Sequence, residues 1–215
     1  MSMTLVDAEH AEVRFPDAPA WIAPFRFERV PESQNPTVPK DWAQAAAAPP
    51  EIAALQAKLK AMADEDHAVR FARPVSDRNI TAVDQKNLPE ILRIHEAYGW
   101  PKQSVVGKEA AGHFWLLVQH QSHDLQSKWL PDMERLVQEG EASRQNFALL
   151  YDRVQKGAGK PQRWGSQTSC VNGKAVMDPV ENPEGLDQRR RELHLQPIEE
   201  YVRQLDEWCQ AAALQ

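Results

Sequence analysis

The chain has 215 residues, of which 42% are hydrophobic and 26% charged, and its net charge is -6. A chain of this length can bury a core without metal or disulfide staples, which favours one main domain with an appendage. The acidic balance argues against nucleic acid and anionic membrane surfaces as partners. The longest apolar run covers only residues 114–118, far short of the roughly 20 residues that cross a bilayer.

The cysteines and the first residues together predict a cytoplasmic protein. The start of the chain lacks the basic and apolar segments of a secretory signal. Cys170 and Cys209 are the only cysteines, and they belong to no recognised motif. Free thiols in a reducing compartment are therefore expected.

Proline and glycine divide the chain near residue 50. Eight of the 16 prolines precede residue 51, whereas all nine glycines lie at Gly99 or later. Residues 1–50 are therefore predicted to form an extended, proline-rich arm. Large apolar side chains within it favour an arm that lies on the domain or on a partner protein over a loose tail. These side chains are Trp21, Ile22, Phe25 and Phe27.

Residues 51–215 are predicted to form a mainly α domain, an irregular helical bundle that carries one β-hairpin. Residues 73–81 are predicted to be a loop or short strand, and Pro89 and Pro131 to lie in first helical turns. Gly99 and Gly157 are each predicted to end a helix. Apolar residues at helical spacing predict helices over about 51–66, 87–98, 108–127, 131–138 and 144–157.

The sequence pattern changes after about residue 160, from helices to a hairpin followed by two more helices. Asn172-Gly173 predicts the tight turn of a hairpin near residues 161–180. A charged helix over 186–193 and a helix that begins at Pro197 are expected to follow. Arg189 and Arg190 are predicted to lie on a solvated helix face, with anion binding as the alternative.

The helix predicted over 108–127 carries polar residues through an apolar stretch. At about 100° per residue, His113, His120 and Asp124 lie near one line along this helix, and Gln119 and His123 share a neighbouring face. Three interpretations stay open. The polar groups satisfy one another in the core, or His120 transfers protons at an acid–base site, or the row binds a metal ion.

Two further segments could carry chemistry. Asp152 and Arg153 lie at the end of a predicted helix, where arginine suits the helix dipole and aspartate needs a partner. Residues 162–167 are predicted to form a strand in which Gly165 marks a bulge or a close backbone approach. Neutral amides beside a glycine suit hydrogen bonding to a substrate, and a polar surface hairpin is the alternative.

Four short segments stand in a characteristic order: residues 115–120, Asp152-Arg153-Val154, residues 159–167 and residues 187–190. In this order the chain resembles the bacterial family catalogued as domain of unknown function 6624, over about residues 84–205. The family pattern has Ala-Asp where this chain has Gln121-Ser122. The resemblance implies that seven residues converge in one polar site: Gln119, His120, Asp152, Arg153, Gln162, Gly165 and Gln167.

The favoured function is a small cytoplasmic enzyme that performs acid–base chemistry on an amino-acid, peptide or similar substrate with amide or carboxylate groups. His120 would be the general base or acid, oriented by Asp152, and Arg153 would bind an anionic or carbonyl group. The substrate-binding residues would be Gln119, Gln162, Gly165 and Gln167.

Two alternatives accompany this prediction. No cofactor is predicted with certainty, and a divalent metal, if bound, would be held by His120, His123 and Asp124. The protein could instead be a non-catalytic binding, immunity or accessory protein with a buried structural histidine–aspartate pair. A protein partner would then bind through the N-terminal arm of residues 1–50.

Overall fold

The structure, a computed structural model, describes residues 2–5, 10–14, 25–28 and 48–213. The chain divides into two units, Met1–Ala47 and Ala48–Gln215. In the first unit, three strands pair antiparallel in the order β1-β2-β3. The rest of the predicted N-terminal arm up to residue 47, including Trp21 and Ile22, lies outside the described residues. The strands are β1 (Ser2–Leu5), β2 (His10–Arg14) and β3 (Phe25–Glu28).

The second unit is a mainly α, irregular helical bundle with one β-hairpin, which confirms the predicted fold class. The hairpin consists of β4 (Thr168–Val171) and β5 (Lys174–Met177). Asn172 and Gly173 form its turn at φ values of 52° and 72°, as the predicted tight turn requires. The helices are α1 (Pro50–Arg70), α2 (Asp77–Tyr98), α3 (Gln103–Gln119), α4 (His123–Gln138), α5 (Arg144–Gly157), α6 (Leu186–Glu192) and α7 (Ile198–Ala213).

The core of this bundle is built from the apolar faces of α1 to α5. Helix α1 packs against α2 and α3, and α4 packs against α5. Removal of one such side chain from water contributes about 1.5–3 kcal/mol. Each of the five helices buries at least one large apolar side chain almost completely: Leu59, Ile91, Phe114, Met133 and Leu150.

The helix predicted over 108–127 is broken in two. Helix α3 ends at Gln119, and α4 begins at His123, where Oγ of Ser122 accepts a hydrogen bond from the N–H of Leu125. A serine cap of this kind starts a new helix. Because the two halves are separate helices, the predicted row that joins residues 113, 120 and 124 along one helix is wrong.

Two helices begin earlier than predicted, so that a proline lies inside each. Pro89 lies within α2 and Pro131 within α4, not in first turns. Helix α2 starts at Asp77, where Oγ of Ser76 accepts a hydrogen bond from the N–H of Asn79 at 3.4 Å. The predicted loop or strand over 73–81 is therefore helical from residue 77 onward.

The two cysteines form a disulfide bond, so the expectation of free thiols is wrong. Cys170 of β4 and Cys209 of α7 are joined, with their Cα atoms 5.5 Å apart. The bond ties the hairpin to α7, which also packs against β5. Within the described part of the chain, none of the helices has the length and apolar character that a membrane crossing requires.

Candidate functional site

A buried polar cluster lies where the end of α1 meets α2 and the end of α3. Asp66 of α1 is only 1% exposed, and it faces His120, the residue that caps α3. Nδ1 of His120 lies 3.1 Å from Oδ1 and 3.0 Å from Oδ2 of Asp66. Because the carboxylate can only accept, Nδ1 donates the proton. Nε2 of His120 then carries the free lone pair, and it makes no hydrogen bond to the described residues.

Arg70, at the end of α1, connects this pair to Asp84 of α2. Its Nε donates to Oδ1 of Asp66 at 3.0 Å, and its Nη2 donates to Oδ1 of Asp84 at 2.5 Å. Burial is the largest influence on the pKa of Asp66 and raises it, but the hydrogen bonds and charges of His120 and Arg70 together outweigh burial. The pKa of Asp66 is therefore lowered, and a buried carboxylate orients the imidazole.

Arg153 of α5 carries a guanidinium group without a carboxylate partner among the described residues. Its Nε is buried and has no hydrogen-bond partner there. Burial lowers the pKa of Arg153, and the positive charge of Arg70 lowers it further. Because this partly buried charge has no counter-charge among the described residues, an anionic ligand would complement it.

Asp152 makes hydrogen bonds to the loop of residues 162–167 and not to His120. Its carboxylate is completely buried, and it accepts backbone N–H bonds from Arg163 at 2.7 Å, Trp164 at 3.1 Å and Ser166 at 3.0 Å. These donors occupy both oxygens. The prediction that Asp152 orients His120 is therefore wrong, and Asp152 anchors the loop.

Gln162 and Gln167 hold the same loop from within. Nε2 of Gln162 donates to the carbonyls of Gln167 at 2.9 Å and Asp178 at 3.0 Å, and its Oε1 accepts from the N–H of Gln167 at 2.6 Å. Nε2 of Gln167 donates to Oγ of Ser166 at 3.1 Å. The segment predicted as a strand is thus a loop whose amides bind backbone and neighbouring side chains.

Gly165 lies within this loop, and Arg190 of α6 contacts it. Gly165 has a φ of +64°, and a Cβ there would lie 2.9 Å from Sδ of Met177 and 3.3 Å from Cδ1 of Ile198. Arg190 is buried, and its Nη1 donates to the carbonyl of Trp164 at 2.6 Å. Gly165 thus faces apolar side chains, and Arg190 lies neither on a solvated face nor at an open anion site.

The remaining predicted ligands stay apart from the cluster. Nε2 of His123 lies 3.1 Å from the carbonyl oxygen of Val154, and the side chain of Asp124 is fully exposed. Gln119 is buried beside His120 at the end of α3. His123 and Asp124 therefore do not complete a metal set with His120. Among the described residues, the potential ligand atoms within 4.8 Å of one another belong to Asp66, Asp84 and His120.

A family model described as a family of unknown function (DUF6624) matches residues 53–212. The chain belongs to this family. The match begins in α1, so the DUF6624 region contains Asp66 and Arg70 as well as His120 and Arg153. No curated protein and no solved structure matches the chain.

Within the DUF6624 region, sequence reasoning missed Asp66, Arg70 and Asp84. One signal was present for Asp66. It continues the buried stripe of α1 that includes Leu55 and Leu59, so the helical period places a carboxylate on the core face. Arg70 follows at the i+4 spacing of an ion pair. Asp84 carries no such signal because its contact with Arg70 depends on how α1 and α2 pack.

Proposed function

We propose that the protein is an enzyme in which His120 acts as general base or general acid. The observation that carries this proposal is the hydrogen bond between Nδ1 of His120 and the buried carboxylate of Asp66. A carboxylate in this position fixes the tautomer and the orientation of the imidazole, and it stabilises the imidazolium formed on proton transfer. Nε2 of His120 is then the atom that exchanges a proton with the substrate.

Arg153 would bind the anionic or carbonyl group of the substrate. Its guanidinium group is partly buried and lacks a carboxylate partner among the described residues, and an unpaired buried charge is unfavourable. A substrate carboxylate would supply the missing charge and could accept two parallel hydrogen bonds from one guanidinium. These features support an amino acid, a peptide or a similar carboxylate or amide compound as the substrate.

Loss of product formation in a His120 variant tests the proposal. The full chain is incubated with amino acids, dipeptides and N-acyl amino acids, and products are followed by mass spectrometry. His120→Asn should lower the rate of any turnover found by about 100-fold or more, the usual contribution of a general base or acid. The matched control is His194→Asn, because His194 is exposed and asparagine tolerates its positive φ of 56°. Unchanged turnover by folded His120→Asn would overturn the proposal.

A second candidate is a non-catalytic binding, immunity or accessory protein. It is favoured by the fact that Asp152, Gln162 and Gln167 all make hydrogen bonds to groups of the loop of residues 162–167. The pair of Asp66 and His120 would then be structural. Co-purification of a stoichiometric partner, together with reduced stability of His120→Asn and no turnover by the wild type, would favour this candidate.

The predicted partners and the predicted compartment stand differently. A protein partner for the N-terminal arm, with no nucleic acid or membrane as partner, stays a prediction. The cytoplasmic location also stays a prediction, and the bond between Cys170 and Cys209 argues against it. Disulfide bonds persist in oxidising compartments and are rare in the reducing cytoplasm.

A further inference from the structure

A cavity of about 780 Å³ lies beside the polar cluster, between the α1–α2 connection and α7. Its walls include Arg70 and Arg73 together with the apolar side chains of Phe71, Val75 and Trp208. This volume falls within the range of roughly 300–1,000 Å³ that small-molecule sites occupy. The cavity is therefore large enough for a ligand of that class.

The apolar wall of the cavity is unusually open to solvent. Phe71 is 69% exposed, Val75 is 49% exposed and Trp208 is 57% exposed. Single exposed apolar residues are common, but three large ones around one concave surface are typical of a binding site. This wall suits the apolar body of a ligand.

The polar wall of the cavity is cationic. Arg73 donates a hydrogen bond to the carbonyl of the adjacent Ala72, and it forms no ion pair with the described residues. No carboxylate is among the described residues that line the cavity. Guanidinium groups bind carboxylates in a planar, bidentate geometry. The charge of this wall suits an anionic head group.

Arg70 joins the cavity to the acid–base pair. It lines the cavity, and its Nε also donates to Oδ1 of Asp66, which lies 3.1 Å from Nδ1 of His120. A ligand whose head group binds at Arg70 would therefore lie next to the cluster that contains His120.

We propose that this cavity binds a small amphiphilic carboxylate. Its apolar body would pack against Phe71, Val75 and Trp208, and its carboxylate would face Arg70 and Arg73. The proposal goes beyond the proposed function, because Arg153 does not line this cavity and binding here does not depend on the role of His120. Binding itself follows from the shape and charge of the cavity.

Calorimetric titration of the full chain with phenylbutyrate tests the proposal. Phenylbutyrate should bind at one site. Phenylbutanol lacks the charge and butyrate lacks the apolar body, so each should bind at least roughly tenfold more weakly than phenylbutyrate. Arg73→Gln and Trp208→Ala should each weaken phenylbutyrate binding by roughly tenfold. The controls are Arg78→Gln and Leu92→Ala, which change exposed residues outside the cavity and should leave the affinity unchanged.

Three results would overturn the proposal. They are the absence of phenylbutyrate binding, equally tight binding of phenylbutanol, and an affinity that neither Arg73→Gln nor Trp208→Ala alters. His120→Asn separates this proposal from the proposed function. If it abolishes turnover while phenylbutyrate does not bind the wild type, only the cavity proposal fails. If it retains turnover while phenylbutyrate binds, only the proposed function fails.

Discussion

His120 and Asp66 are 54 positions apart in the sequence, yet Nδ1 of His120 lies 3.1 Å from Oδ1 of Asp66. The contact joins the end of α3 to the last turns of α1, and these two helices pack against each other in the bundle. Since Asp66 is buried and Arg70 binds it as well, the imidazole has one well-defined orientation. Its Nε2 is left without a hydrogen bond to the described residues.

Replacement of Asp66 tests whether its charge stabilises the fold. Asp66→Asn should lower the free energy of unfolding by about 1–3 kcal/mol at neutral pH, because a buried hydrogen-bonded charge is lost. The pKa of Asp66 is lowered in the folded state. Its ionisation therefore stabilises the fold fully above the unfolded pKa of about 3.9, and this contribution is lost as the pH falls through the lower folded-state pKa.

Urea unfolding at a series of pH values measures this effect. The difference in stability between wild type and Asp66→Asn should be constant near neutral pH and shrink below about pH 4. Asp124→Asn, at a fully exposed carboxylate, is the matched control. A difference that persists unchanged into strong acid would contradict the assigned role of the Asp66 charge.

Asp152 should prove to be structural. Asp152→Ala removes the acceptor of the N–H groups of Arg163, Trp164 and Ser166, and it should lower the free energy of unfolding by about 3–5 kcal/mol. Thermal unfolding followed by circular dichroism measures the loss, and Asp124→Ala is the surface control. Normal stability combined with lost turnover would instead return Asp152 to the catalytic residues.

The helix ends that were predicted correctly depend on local signals. Gly99 ends α2 at a φ of +64°, and Oγ of Ser143 accepts the N–H of Asn146 at 3.2 Å at the start of α5. Each signal involves residues within a few positions of one another. The break between α3 and α4 was missed because the apolar stretch before Ser122 has a helical period that continues past it. Ser122 was therefore not recognised as the N-cap of a new helix.

The site could be predicted only in part because its partners meet through packing. His120 and Arg153 are candidate site residues from the motifs, but the hydrogen-bond partner of His120 comes from α1 and not from the Asp152-Arg153 motif. Asp152 and Gln162 resembled site residues since a buried structural loop and a polar pocket use the same residue types. Only their hydrogen bonds to backbone groups distinguish them.

Gly165 should resist substitution for steric reasons. Gly165→Ala combines a positive φ of +64° with a Cβ only 2.9 Å from Sδ of Met177, so it should be destabilising by about 2–4 kcal/mol. Gly159 is the matched control, because it has a φ of +68° and no atom within 4 Å of the added Cβ. Gly159→Ala should lose only about 1 kcal/mol. Equal losses in urea unfolding would show that crowding at Gly165 contributes nothing.

The disulfide bond should stabilise the second unit. Cys170 and Cys209 are separated by 39 positions, and removal of both in Cys170→Ala/Cys209→Ala should lower the free energy of unfolding by about 2–4 kcal/mol. Reduction should destabilise the wild type and leave the double variant unchanged. Thiol titration of the unfolded, unreduced protein is the direct check, and two free thiols would show that the bond is absent.

Arg153 should be a residue that function requires and stability does not. Arg153→Met removes a partly buried guanidinium that lacks a partner among the described residues, so the melting temperature should stay the same or rise. Arg190→Met is the matched control. The Arg190 guanidinium is fully buried and donates to the carbonyls of Trp164 and Gln196, so its loss should be destabilising by about 1–3 kcal/mol for each carbonyl left unpaired. If Arg153→Met is destabilised as strongly as Arg190→Met, Arg153 is part of the architecture and the anion-binding role assigned to it is wrong.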